Sequence, residues 1–146
     1  MSPSISTTSK PDVISRFSVN RASDTEYQRG LRSFMEYRDL GIAAATGNRF
    51  DAKIVKAIPG HTERAPWHRH ELDFQMVFVL KGTITLEYEG VGPITLQPGD
   101  CVHQAAGIAH VEIEHSDDYE GIEITMPAQF KTVEVDPKQM QGRAGG

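Results

Sequence analysis

The chain has 146 residues and a formal net charge of −5, with 13 Gly, 8 Pro and a single Cys. This length fits one ordinary domain with a real hydrophobic core. The acidic balance and the absence of a basic stripe disfavour nucleic acid and anionic membranes as partners, and no apolar stretch approaches the roughly 20 residues that span a bilayer. Residues 1–13 lack the apolar core of a secretory signal, so we expect a soluble cytoplasmic protein.

The sequence divides into four segments in chain order. Residues 1–23 predict a disordered or weakly held tail, because they lack periodic apolar positions. Residues 24–49 mix aromatic and charged side chains and predict a packing arm, which is either a short helical turn or an extended segment. Residues 50–130 carry the strand signals and predict the main domain, and residues 131–146 predict a flexible C-terminal tail.

Short apolar runs alternate with Gly and Pro turns between residues 50 and 126, which is typical of a β-sandwich or β-barrel. The run 75–80 is apolar at nearly every position, so both of its faces should be buried. Met76, Phe78 and Leu80 then need cover from the arm, from a second sheet or from another subunit. Because a large apolar patch is unusual on a monomer, we expect a homodimer, with an arm that either stays on its own barrel or reaches the partner.

Two histidines spaced by one residue, His68 and His70, predict half of a metal site. In an extended strand both side chains point to the same face, so the two imidazoles can bind one ion. Gln75 follows just before the apolar run, and a single His110 follows a glycine-containing turn. For the histidine pair taken alone, two solvated surface side chains are the alternative.

These residues resemble the two motifs of the cupin family. The first motif is Gly, a spacer, His-x-His, three or four residues, Glu, six residues and Gly; the residues at these places are Gly60, His68, His70, Gln75 and Gly82. The second motif is Gly, five residues, Pro-x-Gly, two residues and His; the residues that fit it are Gly99, Ala105, Gly107 and His110. This sequence departs from the pattern in the longer first spacer, in Gln75 for Glu and in Ala105 for Pro.

The resemblance implies an all-β double-stranded β-helix, which is a jelly-roll barrel of two facing antiparallel sheets, here with a flexible N-terminal arm. It also implies one divalent metal ion, which would be zinc, nickel, manganese or iron. The implied ligands are His68, His70, Gln75 and His110. Asp73 is a rival fourth ligand, and Gln75 could alternatively only hydrogen-bond a neighbouring loop.

Three imidazoles and one amide form a neutral ligand set, which leaves both charges of a divalent ion at the site. Such an ion is a stronger Lewis acid and stabilises higher oxidation states less well. Among cupins the set resembles that of the small cupin that opens unsaturated uronates in pectin breakdown. We therefore expect an enzyme that isomerises, cyclises or eliminates a small polar metabolite. The alternatives are an iron-dependent dioxygenase and a non-catalytic module that binds or senses a small molecule.

Three further residues are candidates for catalysis. His103 would act as a general acid or base if the strand face that it shares with Cys101 lines the cavity. Glu112 shares a strand face with His110, and Glu123 comes from a neighbouring strand. Either carboxylate could orient a ligand imidazole or act as a base.

For four further residues the sequence predicts only whether the side chain is buried or exposed. Cys101 lies in a strand-like run and predicts a buried small hydrophobe rather than a reactive thiol. His61 and His115 stand in turn-like contexts and predict solvent-exposed side chains. Glu71 directly follows His70, so it should face away from it and lie at the rim of the site.

Overall fold

The computed structural model describes residues 13–30, 32–60 and 63–144, which form mostly strands. The strands are β1 (Gln28–Arg29), β2 (Met35–Asp39), β3 (Asp51–Ala57), β4 (His68–Glu71), β5 (Phe74–Lys81), β6 (Ile84–Tyr88), β7 (Gly92–Leu96), β8 (Cys101–His103), β9 (His110–His115), β10 (Glu120–Met126) and β11 (Lys131–Glu134). The helices are α1 (Ile42–Ala45), α2 (Pro137–Ala144) and a 3₁₀ turn at Ala22–Asp24. None of the helices in these residues is long and apolar enough to cross a membrane.

The strands form two antiparallel sheets with the hydrophobic core between them. One sheet has the order β1-β2-β3-β10-β5-β8 and the other has the order β11-β4-β9-β6-β7. The core cluster draws Val55 and Val79 from the first sheet and Leu86 and Leu96 from the second. The predicted all-β jelly-roll architecture is thus confirmed.

Strand alternation decides which side chains enter the core. Along β6, Ile84, Leu86 and Tyr88 are buried while the residues between them are half-exposed. Along β5, Gln75, Val77 and Val79 are buried and point inward. The opposite side of β5, formed by Met76, Phe78 and Leu80, is half-buried to exposed, and we call it the apolar outer face.

The predicted packing arm forms an edge of the first sheet. Strand β2 pairs with β3, and Phe34 and Met35 at its start are buried in the core. Of the two alternatives for residues 24–49, the extended one describes β1 and β2, and α1 follows them. Strand β2 lies in the same sheet as β5, with β3 and β10 between them, so it does not cover the apolar outer face of β5.

The segment that was expected to be a flexible C-terminal tail contains a strand and a helix. Residues 131–134 form β11, which pairs with β4, and α2 follows with Met140 buried. The sequence did not predict this strand because it is an edge strand of four residues that are mostly exposed, and it therefore has no apolar alternation. The expected mobility of the first twelve residues and the expected exposure of His61 lie outside the described residues.

Cys101 lies on the surface, so the prediction of a buried cysteine is wrong. Its cross-strand partner is Phe78, and cross-strand partners share a face of the sheet. Cys101 therefore lies on the apolar outer face side, and Val102 packs against the core instead.

Candidate metal centre

Three histidines meet on the inner face of the second sheet. His68 and His70 lie two residues apart on β4, and His68 pairs directly with His110 on β9. The turn before β9 contains Gly107 in the left-handed region at φ 76° and is closed by a bond from the Ile108 amide to the Ala105 carbonyl. One ligand nitrogen from each imidazole lies within 4.8 Å of the others. Local alternation, a turn and one strand pairing therefore bring the three side chains together.

Hydrogen bonds at Nδ1 orient the three imidazoles. The bonds run from His68 to the carbonyl oxygen of Pro66 (2.7 Å), from His110 to the carbonyl oxygen of Ile108 (3.1 Å) and from His70 to Thr132 Oγ1 (2.8 Å). A carbonyl oxygen only accepts, so Nδ1 carries the proton in His68 and His110 and Nε2 is left unprotonated. This tautomer is the one that metal-binding histidines adopt when the second nitrogen is held by an acceptor.

The environment keeps the imidazoles neutral. Burial, and then the neighbouring His110 and His68, lower the pKa of His70 to about 3. Burial and then His68 lower the pKa of His110 to about 4. Burial also lowers the pKa of His68. All three rings therefore keep a lone pair at neutral pH, which is the state that metal binding requires.

Gln75 faces this cluster from the other sheet. It lies on the inner side of β5 and is 3% exposed. Its amide hydrogen-bonds the carboxylate of Glu123 on the neighbouring β10. This bond lowers the pKa of Glu123, as a bond donated to a carboxylate does, so the NH₂ group of Gln75 points to Glu123 and the amide oxygen takes no part in the bond. Glu123 thus contacts the amide, whereas the sequence suggested contact with an imidazole.

Both sheets enclose a cavity of about 1080 Å³ that the three histidines and Gln75 line. Its apolar walls include Phe34, Val55, Val77, Ile84, Leu86 and Tyr119. Its charged lining residues include Arg32, Asp51, Lys53, Glu112 and Glu123. Burial is the largest cause of the raised pKa of Glu123, and Lys53 acts in the opposite direction. The cavity therefore combines a polar wall at the histidines with an extended apolar wall.

Arg32 is a part of the site that the sequence analysis missed. Its Nη2 atom donates a hydrogen bond of 3.1 Å to His68 Nε2. The two residues are 36 positions apart, and no local pattern marks Arg32 as a cavity residue. Thr132, on the unpredicted strand β11, was missed for the same reason.

Glu112 lines the cavity and accepts a hydrogen bond from His115 Nδ1. This bond is the largest cause of the raised pKa of His115. The side chain of His115 is 6% exposed and stacks with Phe34, so the prediction of an exposed His115 is wrong. The turn context misled the sequence analysis, because His115 is in fact the last residue of β9.

His103, Asp73 and Glu71 lie outside the centre. His103 pairs with Met76 on the outer side of the first sheet, is exposed and stacks with Phe74. The condition for a catalytic His103, a cavity-lining face shared with Cys101, is therefore not met. Asp73 and Glu71 are exposed, which agrees with a rim position for Glu71 and does not favour Asp73 as a ligand.

Comparisons with known proteins agree with this fold. A family model described as a cupin domain matches residues 54–120. The structure of KdgF from Halomonas sp. is 21% identical with a TM-score of 0.63, over 77% of this chain and 96% of that chain. The polyketide cyclase RemF from Streptomyces resistomycificus is 16% identical with a TM-score of 0.67, over 82% and 86%. A cupin sugar phosphate isomerase from Silicibacter pomeroyi is 19% identical with a TM-score of 0.62, over 82% of each chain. A comparison with curated proteins finds no match.

The family match and the two-sheet fold together define a small single-domain cupin. The chain thus contains a cupin domain, which the family model matches over residues 54–120. Its similar structures include an isomerase and a cyclase that differ in chemistry, so the fold alone does not specify a reaction.

Proposed function

We propose that the chain is a metal-dependent enzyme whose centre holds one divalent ion through His68, His70, His110 and Gln75. The observation that carries the proposal is the clustering of the three imidazoles: one ligand nitrogen of each lies within 4.8 Å of the others, and Nδ1 of each ring makes a hydrogen bond. Nitrogen and oxygen donors of this kind suit zinc, nickel, manganese or iron. Bound there, the ion supplies Lewis acidity toward a substrate oxygen and keeps its full charge, because every ligand is neutral.

The residues of the chain supply the remaining chemistry. Glu112 faces the cavity as a carboxylate held by His115, so it is placed to accept or return a proton. Glu123 holds the amide of Gln75 and acts as a positioning residue for it. Apolar side chains from both sheets line the other wall of the cavity. These roles support isomerisation, cyclisation or elimination on a small-molecule substrate rather than an oxidation.

Elemental analysis of purified protein tests the proposal. We expect about one equivalent of a divalent metal in the wild type and none in a His68→Ala, His110→Ala double variant, because the double variant keeps only one imidazole. His103→Ala is the matched control, since that histidine is exposed on the opposite side of the first sheet. Undiminished metal in the double variant would contradict the centre. Iron as the native metal would instead favour a dioxygenase.

A further inference from the structure

Arg32 differs in its partner from three other charged residues of the cavity, Asp51, Lys53 and Glu112. Lys53 Nζ lies 3.1 Å from Asp51 Oδ2, and Glu112 is paired with His115. Among the described residues, the Arg32 side chain has one hydrogen bond, to Nε2 of the neutral imidazole of His68. Its positive charge is therefore not balanced by a carboxylate contact there.

That single partner is the atom that the proposed metal centre also needs. Nε2 of His68 has one lone pair, so it cannot bind an ion and accept the bond from Arg32 at the same time. An arginine stays charged at any physiological pH, and a half-buried guanidinium without an acceptor is costly. When His68 serves as a ligand, Arg32 is released from this bond and can donate to another acceptor.

A carboxylate is the acceptor that best matches this donor. The planar guanidinium presents parallel N–H groups that pair with both oxygens of a carboxylate. The rest of the cavity favours an apolar body for such a ligand, because Phe34, Val77 and Leu86 form an apolar wall. The volume of about 1080 Å³ is slightly above the roughly 300–1,000 Å³ usual for pockets of drug-sized ligands, so such a ligand has room.

We propose that the cavity takes an organic carboxylate with an apolar body, and that Arg32 binds its carboxylate. The ligand class rests on the proposed function, because the metal centre is what releases Arg32 from His68. The body lies against the apolar wall, and the reacting oxygen lies on the histidine side. This ligand class differs from the small polar metabolite that the sequence suggested, because the body of the ligand is apolar.

Isothermal titration of the zinc-loaded protein with three probes tests the proposal. The probes are naphthoate, its uncharged amide naphthamide, and acetate. We expect naphthoate to bind at least about tenfold more tightly than naphthamide, since a charge-assisted hydrogen bond contributes at least one such factor. Acetate should bind more weakly than naphthoate, because it leaves the apolar wall uncovered.

Arg32→Gln should abolish the preference for naphthoate over naphthamide. Arg69→Gln is the matched control, since Arg69 lies between His68 and His70 on β4 and points to the other face. Arg32→Lys keeps the charge without the planar fork and should retain only part of the preference. Circular dichroism shows whether each variant is folded.

Three results would overturn the proposal. They are equal binding of naphthoate and naphthamide, an unchanged preference in Arg32→Gln, and acetate binding as tight as that of naphthoate. Zinc content measured in the same samples reports separately on the metal centre. If the protein binds zinc fully but shows no preference for the carboxylate, only the proposed ligand class is refuted. If the wild type takes up no zinc, the proposed function is refuted.

Discussion

Thr132→Val should weaken metal binding, because it removes the hydroxyl that holds His70 in place. Thr132 and His70 are cross-strand partners on β11 and β4, and Oγ1 lies 2.8 Å from Nδ1. Valine has a similar shape and a high strand propensity, so β11 should persist. Loss of such a partner costs roughly 10–100-fold in metal affinity. Because the Thr132 side chain borders solvent, water can replace part of the bond, and we expect about tenfold.

A competition titration of zinc against a chromophoric chelator measures this loss. Thr132→Ser keeps the hydroxyl and should restore the affinity. Thr95→Val, on edge strand β7 of the same sheet, removes a hydroxyl bonded to Thr85 and should leave the affinity unchanged. An unchanged dissociation constant in Thr132→Val would refute the orienting role. The acceptors of His68 and His110 are backbone carbonyls, so His70 is the ligand for which substitution gives this test.

Three further predictions follow from the centre and the outer surface. Gln75→Glu should keep the ion and bind it more tightly, since a carboxylate adds a negative ligand. Weaker binding in the same titration would show that the centre needs the hydrogen bond from the Gln75 amide to Glu123. Protons compete with the ion only when an imidazole can be protonated. The pKa is about 3 for His70 and about 4 for His110. The metal ion should therefore stay bound down to about pH 5 and dissociate as the pH falls toward 4, whereas ordinary imidazoles would release it near pH 6. Elemental analysis after dialysis at graded pH checks this, and complete loss already at pH 6 would contradict it. Finally, the apolar outer face predicts a homodimer, so light scattering should give twice 16.2 kDa, and a mass that stays at 16.2 kDa as concentration rises would exclude it.

The sequence predicted the parts of the fold that depend on local alternation. Strand β6 was visible because apolar residues recur at every second position. Strand β5 was visible as an apolar run, and Gln75 at its start was marked by the cupin resemblance. His68 and His70 share a face because of strand alternation as well. The position of His110 relative to them was supplied by the cupin resemblance rather than by local pattern.

The rest of the site depends on contacts between distant parts of the chain. Arg32 reaches His68 across 36 residues, and Thr132 reaches His70 across 62 residues, both from edge segments without apolar alternation. The facing of His103 could not be predicted for a different reason. Strand β8 has only three residues, so the inward position of Val102 could not be read from a pattern, and a one-residue error in parity moves His103 to the opposite face.

The direct opposition of His68 and His110 also makes the centre a test of correct strand pairing. A shift of β4 by one residue against β9 would turn His68 and His70 away from His110, because side-chain direction reverses at every residue. A chain paired in the wrong register therefore lacks the three-nitrogen cluster. An ion that needs this cluster stabilises only the correctly paired chain, and by mass action it draws misregistered chains toward the native fold. Metal binding at the centre would in this way select the correct strand register during folding, in addition to its role in catalysis.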